Sequence, residues 1–230
     1  RWPGGLGQRA RPTVTGVARA LRGTTGHMTT RLSHTVRAAH PVAGGGRRLE
    51  LRFGRAGDTD AEQVPAVLLL PDLPPGHAAP AALLLHGYSS RKEQMAQDVG
   101  AGLLERGIAS LAIDLPLHGE RAGDVDFRSV RNPLALAQSW RRANADARLA
   151  LGYLGARPEV DGGRLALVGY SMGSFLGVGV AADVPAVRAV VLAAGGDLPT
   201  GTPFERFARA AADPLKAARR LAGRPLLMIH

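Results

Sequence analysis

The fold is decided by residues 164–183, "RLALVGYSMGSFLGVGVAAD", where a strand-like run of apolar residues passes directly into a helix-like run. Ser171 stands at the junction, with Gly169 two residues before it and Gly173 two residues after it. A strand that turns sharply into a helix brings the two elements so close together that both flanking positions must lack a side chain. Such a turn lifts the serine hydroxyl clear of the sheet, and the helix N-terminus beyond it favours negative charge. The stretch therefore predicts an exposed serine, placed for chemistry, at the carboxyl end of a strand.

The rest of the chain alternates between strand-length apolar runs and helical patterns. The further strand runs lie at 47–53, 64–70, 81–87, 108–114, 187–193 and 224–230, and the helical patterns lie at 91–107, 132–157 and 202–223. Strands that are separated by helices join through right-handed crossovers, which place helices on both faces of the sheet. The sequence therefore predicts an α/β fold with a mostly parallel central sheet.

A second motif, "AALLLHGYSSRKEQ" at residues 81–94, ends another strand with His86-Gly87-Tyr88 and passes into a helix. With these two motifs the chain resembles the α/β-hydrolase superfamily. Three further stretches are similar to its dienelactone hydrolase, acetyl xylan esterase and prolyl oligopeptidase branches, and the resemblance extends over residues 47–230. These stretches are "VPAVLLLPDLPP" (64–75), "AIDLPLHGERAG" (112–123) and "LGYLGARPEVDGGRLALVGYSMGS" (151–174).

The resemblance implies a serine hydrolase that cleaves small carboxylic esters through an acyl-enzyme on Ser171. It also implies an oxyanion hole formed by the backbone N–H groups of Tyr88 and Met172, and no cofactor. Many relatives have a second glycine where this chain has Ser174, a difference that we expect to affect packing and not catalysis. No pair of His, Asp or Glu residues has the spacing of a metal site on one element, so we expect no metal.

A serine nucleophile needs a base and an acid, which the resemblance places after the serine, in the order acid and then histidine. His230 is the one histidine after Ser171, but it closes a strand on which the family histidine is structural. His118 is a weaker candidate for the base, and Asp197, just beyond the strand 187–193, is the candidate acid within the chain. We expect instead that the acid and the histidine lie beyond residue 230, together with the last strand and helix of the fold.

The positive charge is concentrated at the N-terminus. Residues 1–49 hold nine arginines and no acidic residue, whereas the other 20 basic residues are matched by 19 acidic ones. We therefore expect residues 1–46 to form a basic, disordered arm, with a translation start at Met28, and residues 47–230 to form the domain. The near-neutral body and the 4% aromatic content argue against nucleic-acid binding.

Composition also bounds the setting of the protein. The chain has no cysteine and no uninterrupted apolar run of membrane-spanning length, and its arginine-rich composition is typical of a GC-rich bacterial genome. We therefore expect a bacterial, cytoplasmic protein that has no membrane partner, with an oligomeric state that the sequence leaves open.

Two other functions remain open at this point. One is a peptidase or amidase of the prolyl-oligopeptidase type, although 46 residues before the first strand run are too few for the propeller of that branch. The other is a catalytically silent hydrolase fold that binds a ligand.

Overall fold

The structure, a computed structural model, describes residues 14–17, 31–123, 133–195, 214–221 and 223–229. Asp197 and His230, the candidates for the acid and for a base, lie outside these ranges. The predicted helix start at residue 132 and most of the helical pattern at 202–223 also lie outside them.

One sheet contains every strand of the described residues, in the order β1-β2-β3-β4-β6-β5-β7-β8-β9. The strands β6, β5, β7, β8 and β9 run parallel to one another, whereas β1 to β4 are antiparallel to their neighbours. The strand bounds are Val14–Val17 (β1), Leu32–Pro41 (β2), Arg47–Arg55 (β3), Val64–Leu70 (β4), Ala79–Leu85 (β5), Ala109–Ile113 (β6), Val160–Tyr170 (β7), Val187–Ala193 (β8) and Leu226–Ile229 (β9).

Helices cover both faces of this sheet. Helix α1 consists of the turns Lys92–Met95 and Ala101–Leu104 with a π-helical segment, Ala96–Gly100, between them. The other helices are α2 (Pro133–Gly155), α3 (Met172–Asp183) and α4 (Pro214–Arg220), and a 3₁₀ turn spans Gly119–Arg121.

The alternation of side chains along β5 shows how the two layers form, because successive residues of a strand point to opposite faces. Leu83 and Leu85 belong to the larger apolar core, which also takes in buried residues of α2 and α3. Ala82 and Leu84 belong to a second core that includes Met95, Ala96 and Leu104 of α1. The predicted α/β architecture, a sheet with helices on both faces, is thus confirmed.

The expected boundary between a disordered arm, residues 1–46, and the domain is wrong, because two strands lie on its N-terminal side. Strand β2 lies within the supposed arm of residues 1–46, yet it pairs with β3 along its whole length and buries Leu32, which is 2% exposed. Strand β1 pairs with β2 in turn. The sequence signal is weak because β2 holds few large apolar residues, and only Leu32 and Ala38 of this strand are buried.

None of the helices in the described part of the chain is long and apolar enough to cross a membrane.

Candidate functional site

Backbone strain marks the carboxyl edge of the parallel strands. Among the described residues, three that are not glycine have a positive φ, namely Leu117 (65°), Ser171 (50°) and Ala194 (49°). Each follows the carboxyl end of a strand: Leu117 lies in the loop after β6, Ser171 directly follows β7, and Ala194 directly follows β8. Such conformations cost about 1–3 kcal/mol each and concentrate at functional sites. The strain therefore singles out this edge of the sheet.

Ser171 is the N-cap residue of α3, with φ 50° and ψ −114°. Its N–H donates to the carbonyl of Ala193 at 2.8 Å, and its own carbonyl accepts the N–H of Ser174 at 2.8 Å. The corner is thus tied to the end of β8 on one side and to the first turn of α3 on the other. This is the sharp strand-to-helix turn that the sequence predicts.

Gly169 and Gly173 stand at positions that have no room for a side chain. A Cβ added at Gly169 would overlap the carbonyl oxygen of Gly173 and lie 2.8 Å from the Cα of Ser174. A Cβ added at Gly173 would overlap the carbonyl oxygen of Leu85. Since all of these atoms belong to the backbone, no side chain can move aside, and glycine is required at both positions.

The loop that follows β5 lies directly against this corner. A Cβ built on Gly87 would be 3.2 Å from the Cβ of Ser171 and 2.9 Å from Cδ1 of Tyr170. The Tyr170 side chain is half-exposed, so its ring forms a wall beside Gly87 that solvent reaches. The next residue in this loop is Tyr88, whose backbone N–H is one of the two expected oxyanion donors. The other, Met172, is the first residue of α3, where N–H groups have no acceptor within the helix.

His86 is fully buried, and its ring binds backbone groups of the loops that follow β5 and β6. Its Nε2 accepts the N–H of Leu115 at 3.0 Å, so the ring proton is on Nδ1, which donates to the carbonyl of Gly87 at 2.7 Å. Burial is the main reason why the pKa of His86 falls to about 4. His86 is therefore a neutral imidazole with both nitrogens used.

His118 contacts the same loop from the side. Its Nε2 lies 2.7 Å from the carbonyl oxygen of Tyr88, and its Nδ1 lies 2.8 Å from that of Pro116. The rings of His118 and His86 are 5.1 Å apart between centroids. Because both nitrogens of His118 already contact backbone carbonyls, the ring is arranged for a structural role and not for that of the base considered above.

A cluster of charged side chains around the buried pair of Asp114 and Lys92 links the loop after β6 to α1. The carboxylate of Asp114, fully buried after β6, accepts the Lys92 backbone N–H at 3.0 Å, Lys92 Nζ at 2.8 Å and the Glu120 N–H at 3.0 Å. Lys92 Nζ also contacts carboxylate oxygens of Glu93 at 2.6 Å and Glu120 at 2.8 Å. Burial alone would lower the pKa of Lys92, but its hydrogen bonds to the three carboxylates outweigh burial and raise it.

Sequence reasoning missed this ionic cluster. Asp114 falls at the end of the predicted strand run 108–114 and Lys92 in the helical pattern 91–107, and only their common burial at 0% and 2% exposure reveals the pair. The described residues contain no group of three or more His, Asp or Glu side chains that could hold a metal ion.

The geometry can be compared with that of known proteins. Residues 82–229 match the family described as the alpha/beta hydrolase family. The chain is 28% identical over 156 residues to the polyketide transferase ATR5 of Stachybotrys chlorohalonatus, a match that covers 68% of this chain. The chain thereby spans about half the length of this curated relative, 50%.

Many solved structures have a similar fold, and two of them illustrate the similarity. A protein of Bacteroides fragilis classed as an acetyl xylan esterase aligns with a TM-score of 0.63 and 15% identity, over 85% of this chain and 62% of that one. The protein TT1662 of Thermus thermophilus aligns with a TM-score of 0.57 and 26% identity, over 73% of this chain and 70% of that one.

Proposed function

The chain belongs to the alpha/beta hydrolase family, as its sequence predicts, and on that premise we propose that it is a serine hydrolase that cleaves carboxylic esters. The observation that carries the proposal is the corner at Ser171. A serine with φ 50° sits between a strand and a helix, and the backbone of the His86-Gly87-Tyr88 loop lies against it. This arrangement presents a hydroxyl beside two sets of backbone N–H groups, as acyl transfer requires.

In the proposed reaction, Ser171 Oγ attacks the carbonyl carbon of the ester while a base takes the hydroxyl proton. The carbonyl oxygen becomes an oxyanion, which the N–H groups of Tyr88 and Met172 stabilise. When the C–O bond to the alcohol breaks, the base returns the proton to the leaving oxygen. Water then attacks the acyl-enzyme in the same way, so that the acid is released and Ser171 regains its proton.

The contacts of the loop after β5 support the proposed role of the Tyr88 N–H as an oxyanion donor. His86 holds the carbonyl of Gly87, which shares a planar trans peptide with the N–H of Tyr88. Because the two groups of a trans peptide point in opposite directions, this hydrogen bond directs the Tyr88 N–H away from His86. Loss of one such donor costs about 10²–10³ in kcat in comparable sites.

Neither histidine near the corner suits the role of base. His86 is neutral with both nitrogens occupied, and both nitrogens of His118 contact carbonyl oxygens. Asp197 remains a candidate for the acid in this proposal, in the segment after β8, and the base is expected after it in the chain, as the family order implies.

The names of the relatives bear on the substrate. The acetyl xylan esterase in the comparison supports a short acyl ester as substrate, whereas the polyketide transferase supports a second candidate, transfer of the acyl group to an alcohol acceptor. Both reactions pass through the same acyl-enzyme and differ only in whether water or an alcohol attacks it. Product analysis with an added alcohol separates them, because a transferase yields a new ester in preference to free acid.

The proposal is tested by hydrolysis of short p-nitrophenyl esters with the full-length protein. We expect Ser171→Ala to lower kcat by several orders of magnitude, because the nucleophile is lost. The control is Ser33→Ala, a substitution in β2 that should leave kcat unchanged. Ester hydrolysis by Ser171→Ala at the wild-type rate would contradict the proposal. A wild-type protein that binds esters without cleaving them would indicate a silent binding protein instead.

A further inference from the structure

The contacts of His118 require a particular protonation state. Its Nδ1 and Nε2 lie 2.8 Å and 2.7 Å from the carbonyl oxygens of Pro116 and Tyr88, and a carbonyl can only accept a hydrogen bond. A neutral imidazole carries one N–H, so its second nitrogen would turn a lone pair toward the other oxygen. The imidazolium form carries two and can donate to both. The geometry around His118 is therefore that of an imidazolium bridge.

The loop that carries His118 is fixed in place, so the ring cannot easily turn away from these oxygens. The His118 N–H donates to the carbonyl of Leu115 at 3.1 Å, and the His118 carbonyl accepts the N–H of Arg121 at 2.9 Å. Gly119, with φ 54°, lies so close to the carboxylate of Asp114 that a Cβ there would overlap it. His118 itself is 7% exposed.

We propose that His118 is a positioning residue that, as an imidazolium, bridges Pro116 and Tyr88 and so holds the peptide that follows the Tyr88 Cα, which keeps the loop that carries the Tyr88 N–H in place. This inference rests on the proposed function, in which that N–H stabilises the oxyanion. His86 fixes the peptide plane before the Tyr88 Cα by holding the carbonyl of Gly87. His118 fixes the plane after it by holding the carbonyl of Tyr88. Together the two rings contact the carbonyl oxygens of both peptides that flank the Tyr88 Cα.

The two histidines have opposite surroundings although their rings are 5.1 Å apart. His86 accepts a backbone N–H and is held neutral, whereas His118 faces two acceptors. The edge of the Tyr88 ring also faces His118, with 6.0 Å between centroids. The charged side chains around this loop include the acidic residues Asp114, Glu120, Glu93 and Asp146 and the basic residues Lys92, Arg121, Arg52 and Arg37.

Loss of the His118 proton converts one of its two hydrogen bonds into a contact between lone pairs. The Tyr88 peptide is then held on one side only, and the oxyanion donor is less well directed. We expect Ser171 to be acylated more slowly when this hydrogen bond is lost. Binding of the substrate ground state, which does not use the oxyanion donor fully, should change little.

The protonation state is tested directly by ¹⁵N NMR of the full-length protein labelled at histidine. We expect both ring nitrogens of His118 to carry a proton at pH 6, while Nε2 of His86 carries none. An unprotonated nitrogen on His118 at that pH would overturn the bridge. This measurement needs no substitution, so it stands even if a variant fails to fold.

The positioning role is tested by the rate of Ser171 phosphonylation by a fluorophosphonate between pH 5 and pH 10. We expect His118→Gln, whose amide has donors only on its nitrogen, to react about 10–100-fold more slowly than wild type at pH 6. The KM of His118→Gln for a p-nitrophenyl ester should stay almost unchanged, because the substrate ground state does not use the oxyanion donor fully. The matched control is His77→Gln, at an exposed loop histidine.

The outcomes separate the two proposals. If wild-type Ser171 is phosphonylated and His118→Gln reacts like His77→Gln at every pH, the positioning role is wrong and the proposed function stands. If wild-type Ser171 does not react at all, the proposed function fails and the positioning role fails with it.

Discussion

At the scale of single residues, Ser174 is the side chain whose surroundings differ most from what its sequence suggests. Its buried hydroxyl lies 2.8 Å from the carbonyl of Gly169 and 2.8 Å from that of Ala193. Ala193 is also the residue whose carbonyl accepts the N–H of Ser171. Ser174 thus joins the ends of β7 and β8 beneath the candidate nucleophile, so the expectation of a simple packing difference understates its role.

We expect Ser174→Ala to lower the free energy of unfolding by about 1 kcal/mol, because the buried carbonyl that accepts the hydroxyl proton loses this donor. Chemical denaturation measures the loss. The control Ser33→Ala should stay within about 0.5 kcal/mol of wild type, since the Ser33 hydroxyl makes one exposed contact of 3.3 Å. Equal stability of the two variants would show that the Ser174 hydroxyl does not brace the corner.

At the scale of elements, the loop after β6 and the start of α1 behave as one unit that Asp114 holds together. Its carboxylate binds the backbone and the side chain of Lys92 and the backbone of Glu120. Arg52 extends the cluster from β3 by contacting Glu120 at 2.8 Å. The loop that carries His118 is therefore anchored to α1 and to β3 by a cluster of charges around the buried Asp114.

Removal of one partner from a buried ion pair costs about 3–5 kcal/mol, because the other charge is left without compensation. We expect Asp114→Ala to destabilise the protein by this amount, as measured by chemical denaturation. The comparison is Asp98→Ala, an exposed carboxylate on α1 that contacts Gln94, for which we expect a change within about 0.5 kcal/mol. A small effect at Asp114 would mean that Glu93 and Glu120 suffice for Lys92.

The elements also show what the sequence could and could not predict. The corner between β7 and α3 was predictable. The turn has no room for a side chain two residues before or after Ser171, and the sequence has glycine at both positions. Strand β2 was missed because its apolar residues are sparse and its stability comes from pairing with β3. The contacts of His86 and His118 could not be predicted, since they join ring nitrogens to backbone atoms up to 30 residues away in the chain.

At the scale of the whole molecule, buried neutral histidines make stability depend on pH. Burial lowers the pKa of His86 from 6.5 to about 4 and also lowers that of His34. The unfolded chain therefore binds more protons than the folded one between these values, so stability is full above pH 6.5 and falls as the pH drops toward 4. The shift of His86 corresponds to about 3 kcal/mol over this window.

We expect the unfolding free energy to fall between pH 6.5 and pH 4.5, above the range where Glu93, Glu120 and Glu159, with lowered pKa values, lose their own contribution. Denaturation curves at intervals of half a pH unit measure the slope. His86→Gln should flatten the slope, whereas His77→Gln, in an exposed loop, should leave it as in wild type. An unchanged slope in His86→Gln would contradict the assignment of His86 as a neutral buried imidazole.

In the proposed function, the strained corner at the carboxyl end of β7 carries the nucleophile. The most direct measurement treats the full-length protein with a fluorophosphonate and locates the adduct by mass spectrometry of its peptides. We expect one phosphonyl group, on Ser171, with Ser89, Ser90 and Ser174 of the same edge unmodified. An adduct on another serine, or no adduct on Ser171 in a protein that hydrolyses esters, would contradict it.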